Sequence, residues 1–319
     1  MEIITNVTEG VINKAAKALK DAHLVAFPTE TVYGLGADAT NETAVGRIYS
    51  AKGRPTNHPV IVHISSIKLL DKWAIEIPEY AINLASEFWP GPMTLILKRS
   101  NLAEDFITGG QDNVGLRVPN HSIALALLTE FEKLGGYGIA APSANRFGAV
   151  SPTTAKAVNR ELCNFLQIED LILDGGQCLV GVESTIIDCV KDYPVVLRPG
   201  AVTIEMIETI TSLQSSTKFN KNLTKASGLL ESHYSPKAKV IICADVEPGE
   251  GFIAMSTTLT PDGVIRLAAP TDIEQYARDL YSAFRDADIK GIASIKIVPP
   301  EGNGLAEAIR DRILKASSR

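Results

Sequence analysis

The sequence predicts an α/β protein built on a mixed sheet, followed by a second, smaller α/β unit. Three observations predict it. Short apolar runs alternate with longer segments of helical period along the whole chain. The order of these segments is irregular, which suits a mixed sheet better than a purely parallel one. Near residue 212 the chain turns polar and basic (SLQSSTKFNKNLTKASG), as a linker does, and a second alternation of strands and helices begins after residue 238. The expected units are residues 1–212, a linker at 213–238, and a small domain at 239–319.

In order, residues 8–21 read as a helix with Thr8 as N-cap and Val11, Ile12, Ala15, Ala16 and Leu19 at helical spacing. LVAF (24–27) is a buried strand stopped by Pro28, residues 41–51 are a short helix, and VIVHI (60–64) is the next strand. A helix at 79–88 ends before the breaker Trp89-Pro90-Gly91-Pro92. MTLILK (93–98) and VGLRV (114–118) are strands, 121–134 a helix closed by Gly135-Gly136, and YGIAA (137–141) a strand. A further helix is expected from about Pro152, as a first-turn proline. LILD (171–174), STIIDCV (184–190) and PVVLR (194–198) complete the first unit. In the second, VIICA (240–244), FIAM (252–255) and IASIKIV (292–298) read as strands, with helices at 271–287 and 303–317.

The bulk composition excludes several classes. A chain of 319 residues can bury a sizeable core, and 31 basic against 37 acidic residues (net charge −6) argue against a dedicated nucleic-acid-binding protein. No apolar run reaches the ~18 residues of a membrane helix, and MEIITNVTEGVINK lacks the features of a signal peptide. Cys163, Cys178, Cys189 and Cys243 form no CxxC and read as core residues of a cytoplasmic protein. There is no GxxxxGK[ST] or HExxH, and no GxSxG. Gly34-Leu35-Gly36 lacks the third glycine of a dinucleotide fingerprint.

Polar side chains crowd between residues 28 and 63, at the ends of apolar runs. Polar groups at strand ends are how a rigid α/β scaffold presents a ligand site. Lys52-Gly53-Arg54-Pro55 holds two cations at one turn. That suits a polyphosphate, or equally a helix C-terminus. His58 and His63 flank a strand, and a lone strand histidine is more often a core residue than a metal ligand. Arg117, inside an apolar strand, demands a partner. It is either half of an ion pair with Glu30 or Glu183, or a clamp on a carboxylate. Ser143 and Asn145, two apart, can point the same way from extended chain or serve as turn residues. Ser151-Pro152 reads as a helix cap, with Gly181-Val182-Glu183-Ser184-Thr185 opening a strand and Arg198-Pro199-Gly200 closing one.

Seven motifs together carry a resemblance: PTETVYGLGADAT, KGRP with VHI, WPGPMTLIL, GLRVP, APSAN with SPT, GVESTIID and VLRPG. In this order, across about residues 10–205, the chain resembles threonylcarbamoyl-AMP synthases of the YrdC-like family. HYSP (233–236) and the tail resemble the long, two-domain form. The resemblance implies a twisted open mixed α/β sheet with a concave, positively charged face, and a small C-terminal Rossmann-like α/β domain. Residues 1–212 would be the catalytic domain and 213–238 a lid. It implies an enzyme, a nucleotidyltransferase, joining L-threonine, bicarbonate and ATP into threonylcarbamoyl-adenylate and pyrophosphate. A partner transferase would then modify tRNA, which the chain itself would meet only indirectly.

By the same resemblance, Thr31, His63, Arg117, Ala141 and Ser184 hold threonine, with Arg117 on its carboxylate. Lys52, Arg54, His58, Asn113, Ser143, Asn145, Ser151, Arg198 and Tyr234 hold ATP. Lys52 and Arg54 act on the phosphates; Asn113 and Ala141 offer backbone groups. Mg²⁺ would accompany the triphosphate, with no metal ligand and no nucleophile from the protein. Arg146-Phe147 stands where the family usually has small polar residues. Two other readings are a non-catalytic RNA-binding module and a carbamoyl-transfer domain of hydrogenase maturation. The second would carry acylphosphatase-like and zinc-finger segments that are not visible here.

Overall fold

The structure, a computed structural model, describes residues 2–216, 228 and 234–318. The first body comprises β1 (Ile3–Ile4), α1 (Glu9–Lys20), β2 (Val25–Phe27), β3 (Gly34–Asp38), α2 (Glu42–Lys52) and β4 (Ile61–His63). It continues with α3 (Leu70–Trp73), α4 (Glu79–Phe88), β5 (Met93–Lys98), α5 (Asp105–Thr108), β6 (Asn113–Arg117), α6 (Ser122–Lys133) and β7 (Ile139–Ala140). α7 (Ala155–Leu162), β8 (Leu171–Leu173), β9 (Thr185–Asp188), β10 (Val195–Arg198) and α8 (Ile204–Thr211) close it. The second body holds β11 (Lys239–Ile242), β12 (Gly251–Ile253), β13 (Ile265–Ala268), α9 (Ile273–Ile289), β14 (Ser294–Ile297) and α10 (Leu305–Ser317).

The first sheet runs β1-β8-β2-β3-β7-β4-β6-β5-β9-β10 and is mixed, as the irregular element order predicts. β4 pairs parallel with β6, setting His63 opposite Arg117, and β5 pairs parallel with β9, setting Met93 opposite Thr185. These registers bring the C-terminal ends of β4 and β6 to one region of the sheet, where the polar residues collect. The second sheet, β11-β14-β12-β13, is parallel throughout, as suits the small Rossmann-like α/β domain expected there.

The differences from the sequence reading have local causes. β3 has the sequence GLGAD, and strand propensity does not find it because glycine and aspartate are poor strand formers. Gly36 is needed there, since a Cβ would lie 2.8 Å from both Ile139 Cγ2 and Phe27 Cε1. α7 starts three residues later than expected. Thr154 accepts the Ala157 N–H as its N-cap, and the Pro152 carbonyl instead accepts from Tyr33 N–H at 2.8 Å. Ser151 is therefore not a cap. Thr8 precedes α1 but makes no capping bond, whereas Asn41 caps α2 through Ala44 N–H. β13 and α8 are additional elements. Most of the 213–238 linker lies outside the described residues. No described helix is long and apolar enough to cross a membrane.

The two bodies share apolar packing. Val32, Val150 and Val182 of the first are buried in one cluster with Tyr276, Leu280, Phe284, Ile309 and Ile313 of the second. The segments carrying those valines also carry Thr31, Ser151 and Ser184, so the second body is packed directly behind the polar residues.

Candidate active site

Arg117 anchors one side of a pocket at these strand ends. At 4% exposure its guanidinium needs partners, and Nη2 lies 2.7 Å from Glu30 Oε1 and donates to Thr31 Oγ1 at 2.9 Å. Nε donates to the Gly91 carbonyl. Glu30 is thus the ion-pair partner, and Glu183 is not. Glu30 Oε2 also accepts Asn120 N–H, which ties the PTET segment to the chain leaving β6. Thr31 and Thr29 hydroxyls are 2.9 Å apart, and Thr29 donates to the Val32 carbonyl.

His63, opposite Arg117 in the β4–β6 register, is buried edge-on to Phe27. Burial, reinforced by the Arg117 charge, pushes its pKa down to about 3. It is therefore neutral near pH 7, and its buried Nδ1 has no partner among the described residues. The sign of the linkage follows. The folded value lies below the ordinary 6.5, so His63's contribution to stability is complete above that pH and is lost as pH falls towards 3. His63→Gln is expected to flatten the fall of Tm between those limits. Superimposable Tm–pH curves for the two proteins would contradict it.

The opposite side is built from the end of α2. Gly53 closes that helix at φ 62°, the left-handed conformation that favours glycine. Lys52 is 2% exposed, and its ammonium donates to the Ser143 and Asn145 carbonyls. Burial, with Arg54 and Arg146 nearby, pulls its pKa well below the ordinary lysine range. Arg54 donates to the His58 and Pro59 carbonyls, and burial lowers it to about 10, still a cation at neutral pH.

The Arg146-Phe147 pair has a clear place here. Arg146 donates to the Ala51 carbonyl and lies over Phe165, while Phe147 packs against His58 and under Arg54. Asn145 lines the same pocket as Ser143. Its amide nitrogen ties down the Arg146 and Ala149 carbonyls, and its buried Oδ1 has no partner among the described residues.

Ser184 and Arg198 form the third wall. Arg198 donates from Nε and Nη2 to the Ser184 carbonyl at 3.0 and 2.8 Å and from Nη2 to Ser184 Oγ at 3.1 Å. Thr94 and Ser184 hydroxyls are 2.8 Å apart. Tyr234 is 1% exposed with φ 61° and lines the pocket with Gly228. Ser151 is fully buried, and its side chain sits against the Glu183 carboxylate, which it helps to keep ionised.

Of the residues expected from sequence, Lys52, Arg54, His63, Arg117, Ala141, Ser143, Asn145, Ser184, Arg198 and Tyr234 line one pocket. Thr31, His58 and Ser151 stand directly behind its wall: Thr31 bonds Arg117, His58 packs on Phe147, and Ser151 follows Val150 in the shared cluster. Asn113 is not brought in; it starts β6, whose other end carries Arg117. Thr29, Val32, Tyr33, Phe147 and Glu183 line the pocket as well. Thr29 belongs to the crowded stretch and was findable from it. Val32 and Tyr33 look like ordinary core residues.

The pocket's carboxylates do not fit a resident metal. Glu30 and Glu183 are each paired with an arginine, and among the described residues no group of three or more His, Cys, Asp or Glu could hold an ion. Chemically, the arrangement offers one cation with two hydroxyls on one side and a second cationic cluster on the other. Two buried polar atoms of residues that line the pocket, His63 Nδ1 and Asn145 Oδ1, have no hydrogen-bond partner among the described residues.

The sequence family described as "Telomere recombination" matches residues 17–200, and that described as "Threonylcarbamoyl-AMP synthase, C-terminal domain" matches residues 202–318. The threonylcarbamoyl-AMP synthase of Pyrococcus abyssi is 40% identical over 343 residues, covering 99% of this chain and 98% of that one. That of Bacillus subtilis is 36% identical, covering 99% and 95%. A crystal structure of P. abyssi Sua5 complexed with L-threonine superimposes with a TM-score of 0.88 at 39% identity, covering 99% of this chain and 98% of that one. Both bodies are thus matched in one relative, in the order found here, and the chain belongs to the threonylcarbamoyl-AMP synthase family.

Proposed function

We propose that this chain is a threonylcarbamoyl-AMP synthase that joins L-threonine, bicarbonate and ATP. The observation that carries the reading is one pocket lined by Arg117 and His63 and also by Lys52, Arg54 and Arg198, a set that can serve a carboxylate and a triphosphate together. Arg117, held from behind by Thr31, meets the threonine carboxylate, and Ser184 and neutral His63 surround its amine and hydroxyl, with Ala141 beside them. Arg54, Ser143, Asn145 and Arg198 face the nucleotide, with His58 and Ser151 supporting that wall from behind, and Tyr234 covers it. Lys52 shapes the Ser143–Asn145 turn from behind and adds positive potential.

The threonine amine and bicarbonate condense to a carbamate with loss of water. A carbamate oxygen then attacks the α-phosphorus, the bond to the β-phosphate bridging oxygen breaks, and pyrophosphate leaves. The reaction is a nucleotidyl transfer. Fixed cations stabilise the charge that develops on the leaving group. A site closed to water protects the carbamate. Mg²⁺ would accompany the triphosphate and would help neutralise the charge that develops on the leaving pyrophosphate. The adenylate passes to a tRNA threonylcarbamoyl transferase in the cytoplasm, and this chain does not need to touch tRNA.

The test is to supply isotopically labelled bicarbonate with ATP and L-threonine and to look by mass spectrometry for label in a threonylcarbamoyl-adenylate. Label in that species only when all three substrates are present is the expected result. ATP turnover with no labelled adenylate would reject the reading.

A further inference from the structure

The Ser184–Arg198 wall is gripped from the second body. Glu183 precedes Ser184, and its carboxylate accepts from Arg312 Nε at 2.8 Å and from the Tyr281 hydroxyl at 2.9 and 3.2 Å. Arg312 also donates from Nη2 to the Pro199 carbonyl at 3.0 Å, and Pro199 follows Arg198. One side chain of α10 therefore holds both segments whose next residues, Ser184 and Arg198, bond each other. Burial alone would raise the Glu183 pKa, but Arg312 and Arg198 hold it at about 2, so the pair stays ionised. Arg312 has 0% exposure, and its guanidinium lies over the Tyr234 ring, which stacks on Tyr281.

Docking of the two bodies does not need this pair. The apolar cluster around Val32, Val150 and Val182 already joins them, and Arg285 donates to the Val150 and Ser151 carbonyls. A buried ion pair is a poor stabiliser compared with apolar packing, but its geometry can fix registry. A guanidinium fork suits that task, since it bonds acceptors in different directions at once.

We propose that Arg312 is a positioning residue for the reaction: through Glu183 and Pro199 it sets the spacing of Ser184 and Arg198, and so of the threonine and nucleotide halves of the pocket. The inference rests on the synthase reading above and assigns the second body a place in the site's construction.

The test compares full-length Arg312→Met, Arg312→Lys and Glu183→Gln with the unmodified chain, reading kcat and both KM values separately, with thermal unfolding as the control for folding. Arg312→Met is expected to raise KM for both threonine and ATP and to lower kcat/KM about 100-fold, the scale on which a misplacement of ~1 Å acts. Arg312→Lys regains part of the loss, because a point charge reaches one acceptor but cannot fork. Glu183→Gln keeps the side chain's shape and shifts both KM values the same way. It also decides the matter if Arg312→Met does not fold. Combined with Arg312→Lys it costs less than the sum of the two, as coupled partners do. A folded Arg312→Met or Glu183→Gln protein with both KM values within about twofold of the original overturns the inference. An unmodified chain that makes no product overturns the synthase reading and this inference with it. An active chain with insensitive variants overturns this inference alone.

Discussion

Arg117→Met is expected to remove threonine-dependent synthesis and to lower stability by about 3–5 kcal/mol, because it leaves Glu30 as an unpaired buried charge. Both partners are 5% exposed at their side chains, so water cannot take over the lost bonds. Removing one partner of a buried charge pair costs about 2–5 kcal/mol in binding, which corresponds to roughly 30- to 4,000-fold in threonine affinity. The two effects are separable. Adding Glu30→Gln removes the stranded charge, so the double variant should regain much of the stability and none of the threonine affinity. Calorimetric titration with threonine and thermal unfolding of the single and double variants check this. Normal threonine affinity in either variant would show that Arg117 is a purely structural ion-pair member.

The second large effect is expected at Lys52. Its ammonium is the donor that satisfies the Ser143 and Asn145 carbonyls. Each buried acceptor left unsatisfied costs about 1–3 kcal/mol, so Lys52→Met should lose roughly 2–6 kcal/mol and loosen the turn that carries Ser143 and Asn145. ATP affinity should fall by about 10- to 100-fold, a loss of ~1.4–2.8 kcal/mol. Threonine affinity should change little, because Arg117 and Glu30 do not contact Lys52. Arginine is not a conservative replacement: its planar fork does not fit an enclosure shaped for an ammonium. Titration of the folded variant with ATP and with threonine separates the two halves. Equal losses for both ligands would contradict the division of the pocket.

The site was more legible in the sequence than parts of the fold. The motifs at the ends of β2, β4, β6 and β10 announce themselves because hydroxyls and cations at strand ends have no place in a core. Arg117 showed its need for a partner in the same way, and the structure chose Glu30 of the two carboxylates considered. Strands β3 and β13 were hidden, the first because GLGAD lacks the residues that favour extended chain, the second because IRLA is short and only partly buried. The role of Lys52 at the turn was not readable either. A lysine in the last turn of a helix fits the helix dipole whether its ammonium faces water or two carbonyls. Arg312 is the extreme case. Within LAEAIRDRILKAS it looks like one more solvated charge on an amphipathic helix, yet it has 0% exposure. Only the placement of the second body against the segment before β9 reveals its partner. Sequence patterns report a residue's own element well, and they do not report which distant carboxylate will meet it.

The most direct measurement is pyrophosphate release from ATP by the full-length chain, with threonine and bicarbonate omitted in turn. Release that needs both, and that saturates with threonine, is the result the two-sided pocket predicts. Release indifferent to threonine, or no release together with tight binding of tRNA, would contradict it.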